Sequence, residues 1–141
     1  MRQYQLLIGG KWTAPEDGKY LTRTCPATGE DVAEYPMGNA EETKAAIRAA
    51  REAFDHGPWP RMSGAQRAAF LFKYADAIEA EKEKLARIEC EDVGKPIREA
   101  IGEMQNCADF SRHAAGLAQN MHGDAYNNQG ENYMVMVVKE P

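Results

Sequence analysis

The chain has 141 residues, 43% hydrophobic and 28% charged, with 17 Lys and Arg against 22 Asp and Glu for a net charge of −5. These values sit near globular averages and exclude disorder as the starting assumption, and the length suffices for one domain with a core of its own. The acidic balance, in a sequence with no basic stripe interleaved with aromatics, weighs against nucleic acid or an anionic membrane surface as the main partner.

The longest apolar run near the N-terminus is Leu6 to Ile8, too short for a signal-peptide core or a membrane span, so a cytoplasmic protein is expected. Cys25, Cys90 and Cys107 are odd in number and irregularly spaced, which suits reduced thiols better than a disulfide framework. There is no CxxC pair, and no His or Cys stands at a spacing that suggests zinc.

Leu6 to Thr13 (LLIGGKWT) predicts a hairpin, because Gly9-Gly10 supplies the positive φ of a two-residue turn. Tyr20 to Thr24 and Val32 to Tyr35 predict a second strand pair around the turn Pro26 to Glu30 (PATGE), so hairpins occupy 6–35. Asn39, with Glu42 three residues on, reads as the capping box of a helix over 40–56. Thr43, Ile47, Ala50 and Phe54 are its expected buried stripe, and Gly57-Pro58 ends it. Ser63 and Gln66 repeat the cap signature for a helical run over 63–92. In that run Ala68, Phe72, Ala75, Ile78, Leu85 and Ile88 keep the period, with a break near Glu81. Gly94 is placed to follow that helix in the left-handed conformation, and Pro96 to be the first residue of the next.

The helix expected over 96–122 carries more apolar surface than one contact can use. Ile97, Ile101, Met104, Ala108, Ala115 and Ala118 form one stripe, while Phe110 and Leu117, with His113 between them, point largely the other way. A helix apolar on two sides needs cover on two sides, and only eighteen residues follow Gly123. They divide into a polar, Asn-rich connection (Gly123 to Gly130) and a strand over 132–139, on which Tyr133, Val135 and Val137 share a face. A lone terminal strand leaves an edge that must pair. Hairpins, three helical runs with a long central helix and a final strand, without βαβ alternation, make an α+β arrangement with no second domain, and it reads as an incomplete unit.

By spacing alone no active site is assembled. Cys107 and His113 lie six apart and point to different sides of their helix, so Cys107 reads as a structural cysteine and His113 as a partly buried polar residue rather than a general base. Cys25, in a turn before proline, reads as structural, and Cys90, in the setting IECED, has carboxylate neighbours that disfavour a thiolate. Glu79, Glu81, Glu83, Glu89, Glu91 and Asp92, interspersed with Lys82, Lys84 and Arg87, read as a solvated helix face. Gly9-Gly10 is no phosphate loop, since GxGxxG and GxxxxGKS/T are absent.

In order along the chain, LLIGGKWT, PATGE, FDHGPWPRMS, LFKYADAIEAEKEKLARIECEDVGKPIREA, FSRHAAGLAQNMHG and a closing strand ending in EP resemble the N-terminal portion of the aldehyde dehydrogenase superfamily. The resemblance covers essentially the whole chain, with Cys25 standing where the family usually has Asn. It implies an enzyme of several hundred residues with a cofactor domain, a catalytic domain and a small oligomerisation sheet. In such enzymes a cysteine thiolate attacks an aldehyde, a hydride passes to NAD or NADP, and a glutamate helps water release the acid.

The family's catalytic Cys and Glu and its NAD or NADP site would lie past Pro141, so the resemblance assigns this chain no catalytic and no cofactor-binding residue and implies that it is inactive by itself. It gives Asn106, Phe110 and His113 to one wall of the aldehyde access tunnel. It gives Thr24, through its backbone, and Asp92 to a monovalent cation site present in some members. For Asp92, solvation of a helix C-terminus is an equal reading. Tyr133 to Lys139 resembles the strand that joins the oligomerisation sheet. The partners implied are the rest of the dehydrogenase chain or homo-oligomer subunits, with no nucleic acid and no membrane. The alternative is a non-catalytic interaction or oligomerisation module that pairs with a dehydrogenase subunit or a C-terminal half; a free-standing fold that covers the central helix locally is a third reading.

Overall fold

A computed structural model describes residues 1–128 and 130–140. Pro141 of the terminal EP pair and Gln129 of the Asn-rich connection lie outside the described residues. In chain order the elements are β1 (Arg2–Gln3), β2 (Leu6–Ile8), β3 (Lys11–Thr13), β4 (Tyr20–Thr24), β5 (Asp31–Pro36), α1 (Ala40–His56), a single 3-10 turn (Trp59–Arg61), α2 (Gly64–Ala80), α3 (Lys82–Val93), α4 (Ile97–Gln119), β6 (Ala125–Tyr126) and β7 (Val135–Met136). This is the expected α+β arrangement.

β2 and β3 form the predicted hairpin with Leu7 opposite Trp12, and Gly9 and Gly10 supply the positive φ at 58° and 77°. β4 and β5 pair antiparallel, and β1 runs parallel along the other side of β5 to give the order β1-β5-β4. β1 is an addition to the predicted hairpins. It is held by the Tyr4 N–H donating to the Glu34 carbonyl at 3.0 Å and by Tyr4 stacking on Tyr35, contacts that leave no periodic mark in two residues.

The PATGE turn closes as expected, with the Gly29 N–H donating to the Cys25 carbonyl and the Cys25 N–H to the Glu30 carbonyl, both at 2.8 Å. The Thr28 hydroxyl, then the Ala27 and Thr28 amides, hydrogen-bond the Cys25 thiol and hold its pKa below the ordinary value. Cys25 thus fills the acceptor role that an Asn side chain plays at the start of such a turn.

Both capping boxes are present. The Glu42 N–H donates to Asn39 Oδ1 at 2.9 Å and the Asn39 N–H to Glu42 Oε2 at 2.8 Å, and Ser63 and Gln66 do the same at the start of α2. The predicted buried stripe of α1 is corrected: Thr43, Ile47, Ala50 and Phe54 are exposed, Ile47 at 63%, while Ala45, Ala46 and Ala49 are half-buried. α1 lies against the β2 hairpin, where Gly9 faces the Ala49 side chain. The helical run over 63–92 divides at Glu81 (φ −101°, ψ 11°), where the break was expected, into α2 and α3, so the described residues hold four α-helices.

α4 spans 97–119 rather than 96–122. Pro96, with ψ 134°, is its N-cap residue rather than its first helical one, since an extended ψ cannot belong to the helix. α4 packs mainly on α2 and then on α3. Ala108 and Ala115 of the first stripe are fully buried, with Ile101, Met104 and Ala118 half-buried and Ile97 left exposed at the helix start. The buried core, Cys25, Ala33, Ala68, Ala75, Ile78, Ala86, Ala100, Ala108 and Ala115, is built almost entirely from alanine. The helices touch nearly backbone to backbone; a Cβ on Gly64 would run into the Ala118 carbonyl. Across the α2/α4 seam, Arg112 binds Asp76 at 2.9 Å and also Glu79.

The corner between α3 and α4 is clamped by Lys95, whose Nζ binds Glu89 at 2.7 Å and also Glu103. Hydrogen bonds to Glu103, then Glu89, hold the Lys95 pKa well above its usual value, and the Glu103 carboxyl is held below its own, Lys95 being the leading cause. A lowered carboxylate pKa adds stability that is present above the unfolded value and lost as pH falls through the folded one; a raised lysine pKa adds stability lost only in strong alkali. Lys95→Met is therefore expected to lower the melting temperature near about pH 7, and the gap to wild type should close as pH falls below 4.5, read from thermal melts over a pH series. A gap that stays constant into acid would contradict the clamp.

The strand expected over 132–139 is reduced to Val135–Met136, and it pairs antiparallel with β6, which lies inside the polar, Asn-rich connection. The terminal strand therefore has one partner within the chain. Even so, Tyr133, Met134, Val135, Met136, Val137 and Val138 are all exposed, so neither face of this ribbon is covered.

Candidate functional site

The outward face of α4 carries the side chains that the sequence singled out. Because 106, 110 and 113 recur at the helical period, one rigid helix presents Asn106, Phe110 and His113 together. With Asp109 they line an open hollow of about 280 Å³. Phe110 is 73% exposed, and Asn106 and His113 are exposed as well. Asp109 is held on the helix by Gln105 Nε2 at 3.2 Å and Arg112 Nη1 at 3.4 Å. A ring flanked by an amide and an imidazole can line the path of a small, weakly polar molecule, and it contains no activated nucleophile.

The cysteines stand apart from this hollow's lining. Cys25 is buried in its turn and Cys90 is half-buried on α3. Cys107, expected to be structural, is exposed on α4, where its carbonyl accepts from the Ser111 hydroxyl. His113 is exposed too, where partial burial was expected. The acidic run divides: Glu79, Glu81, Glu83 and Glu91 are exposed, while Glu89 and Asp92 are drawn inward to bind Lys95 and Arg23.

At the second corner, Arg23 of β4 reaches Asp92 near the end of α3. Its Nε donates to Asp92 Oδ1 at 2.8 Å, and its Nη2 donates to the Asp92 carbonyl at 2.6 Å. The neighbouring Thr24 donates its hydroxyl to Asp31 at 2.8 Å. Arg23 was not singled out from sequence, since a strand residue 69 positions away gives no local sign of its partner. Among the described residues no group of three or more His, Cys, Asp or Glu could hold a metal ion, and no helix is long and apolar enough to cross a membrane.

Residues 12–141 match the model of the aldehyde dehydrogenase family. The chain belongs to that family. It is 40% identical to aldehyde dehydrogenase family 2 member B4, a mitochondrial protein of Arabidopsis thaliana, over 97% of this chain and 26% of the relative. Among solved structures, it superposes on an NAD-dependent aldehyde dehydrogenase from Sinorhizobium meliloti with a TM-score of 0.89 at 45% identity, covering 94% of this chain and 26% of that one. On an E. coli NADP dependent enzyme the TM-score is 0.91 at 30% identity, covering 99% and 28%. The chain thus spans about a quarter of the length of the aldehyde dehydrogenases it matches.

Proposed function

We propose that residues 1–141 serve as the N-terminal part of an NAD(P)-dependent enzyme that oxidises aldehydes to carboxylic acids, with Asn106, Phe110 and His113 forming one wall of the aldehyde path. The observation that carries this reading is the bare outer face of α4, where a Phe ring is 73% exposed on a helix whose opposite face buries Ala100, Ala108 and Ala115. The surface as a whole supports it. A compact monomer of 15.7 kDa exposes about 7,300 Å², whereas this chain exposes 10597 Å². The excess, roughly 3,300 Å², is on the scale hidden in obligate assemblies.

In this reading a polypeptide segment supplied from outside these 141 residues covers α4 and brings the nucleophilic cysteine, the glutamate and the cofactor site. NAD or NADP, when bound there, accepts the hydride. The residues described here orient the aldehyde and exclude water, and none is assigned a catalytic or cofactor-binding role. Thr24 and Asp92 belong to the same reading as places for a monovalent cation. Arg23 already supplies a positive charge to Asp92 Oδ1 and to the Asp92 backbone carbonyl. Three free cysteines suit a reducing compartment such as the cytoplasm.

Assay of the purified chain with NAD or NADP and small aldehydes is expected to show no turnover above buffer. Co-expression with the remaining portion of a full-length relative should restore it, with Phe110→Ala raising KM more than it lowers kcat. Turnover by the chain alone would overturn the assignment. The exposed β6/β7 ribbon favours a second reading, a non-catalytic module that joins a dehydrogenase subunit. That reading gains if a stable complex forms without restored turnover.

A further inference from the structure

Two strands of one sheet each send an arginine to the end of α3. Arg2 of β1 binds Glu91, Arg23 of β4 binds the adjacent Asp92, and β1 and β4 lie on either side of β5. α3 has no basic residue in its own last turn. The negative end of its dipole and these two carboxylates therefore draw their positive charge from distant parts of the chain. The last carbonyls of a helix also have no partner inside it. Asp92, next to the final residue Val93, presents such a carbonyl together with its carboxylate.

Arg23 meets both groups. Its Nε donates to Asp92 Oδ1 at 2.8 Å and to the Asp92 carbonyl at 3.0 Å, and its Nη2 donates to the same carbonyl at 2.6 Å. Both side chains are half-buried, and among the ion pairs of the described residues each is paired with the other. A guanidinium carries one positive charge that does not titrate, on a rigid fork of donors. A metal ion of the same charge, held by this carboxylate and this carbonyl, would have to displace that fork or sit against it, with two positive charges sharing one carboxylate.

Resting on the reading of Thr24 and Asp92 given above, we infer that Arg23 is itself the monovalent cation of this corner. Its guanidinium takes the ion's place between β4 and α3, and it makes this junction indifferent to whether potassium or sodium is present. Removing the side chain opens a carboxylate and a carbonyl oxygen side by side, the ligands that hard cations accept.

The test is a set of thermal melts of the purified chain in potassium, sodium or tetramethylammonium chloride at one ionic strength of about 0.15 M, so that screening is constant and only the identity of the cation changes. Asp92→Asn, which has no carboxylate for either kind of cation, gives the general effect of each salt. Relative to it, wild type is expected to melt within about 1 °C in all three salts. Arg23→Met should melt roughly 3–6 °C below wild type in tetramethylammonium chloride and regain at least half of that loss in potassium or sodium chloride, as a small ion enters the vacated place. Arg23→Lys keeps the charge and loses the fork, so it should fall between the two and stay indifferent to the salt.

A wild-type midpoint that rises by more than about 2 °C in potassium or sodium chloride overturns the assignment, because an ion then binds in spite of Arg23. An Arg23→Met chain that melts with wild type, or that loses stability equally in all three salts, overturns it as well and leaves an ordinary ion pair. If Arg23→Met does not fold in any salt, the wild-type and Arg23→Lys melts decide, and a response of either to the small ions counts against the assignment. None of these melts involves an aldehyde, a cofactor or the rest of the enzyme. A contrary result therefore spares the proposed function, and failure to restore turnover on co-expression spares the role of Arg23.

Discussion

Gly94→Val is expected to destabilise the chain by about 2–3 kcal/mol, a larger effect than its half-buried loop position suggests. Gly94 ends α3 with φ 71° and ψ 20°, and its N–H donates to the Cys90 carbonyl at 2.8 Å. The left-handed conformation costs an L-residue roughly 1–2 kcal/mol, more when the side chain is β-branched. A Cβ there would also lie 3.0 Å from Pro26 Cγ and 3.4 Å from Ala27, so the corner would press on the PATGE turn. At roughly 3–4 °C per kcal/mol for a chain of this size, the midpoint should fall by about 6–12 °C. Gly94→Asn, which tolerates the same conformation, should cost less than half as much. A Gly94→Val chain that melts within about 2 °C of wild type would remove the corner from the account of stability.

Ala108→Leu is expected to cost about 2–3 kcal/mol, while Phe110→Ala, two residues along the same helix, should stay within about 0.5 kcal/mol in the isolated chain. Ala108 is fully buried with Ala75 and Ile78, and Leu85 packs against them. The added carbons have no space to enter, and α2 is held in place by Arg112 binding to Asp76 and Glu79. Phe110 has almost nothing to lose, since 73% of it already faces solvent. Denaturant melts of the two variants therefore test which face of α4 is core. Equal losses would mean that α4 is covered on both sides, and the bare face that supports the proposed function would disappear. Under that proposal the same Phe110→Ala change affects KM in the completed enzyme, so one residue separates a structural from a substrate-facing role.

What could be read in the sequence was what is decided within a few residues. The two capping boxes, the Gly9-Gly10 hairpin, the PATGE turn and the left-handed Gly94 each follow from a backbone requirement that particular side chains meet. Family membership was legible for a related reason, because those signals occur in a fixed order along the chain. The site was legible in part: helical spacing put Phe110 and His113 on the second face of α4, and the resemblance to the family added Asn106. Arg23, which binds Asp92, gave no signal because its partner is distant in sequence. β1 and β6, two residues each, were too short to show a period.

The exposed stripe of α1 shows most clearly where local reasoning ends. Ile47 and Phe54 keep the helical period and are the larger apolar residues, but α1 turns Ala45, Ala46 and Ala49 toward the β2 hairpin. Apolar spacing establishes that a helix has a face suited to burial; it does not say which neighbour arrives or how closely. In this chain the approach is near enough for alanine to win over larger side chains in most of the core. The sequence by itself determined the helices and the longer strands, the two capping boxes, the turns and the two-sided character of α4, because backbone geometry and helical period are local. Only the tertiary structure decided which faces are covered and which cations meet a distant carboxylate, because burial and charge pairing depend on residues brought together from distant parts of the chain.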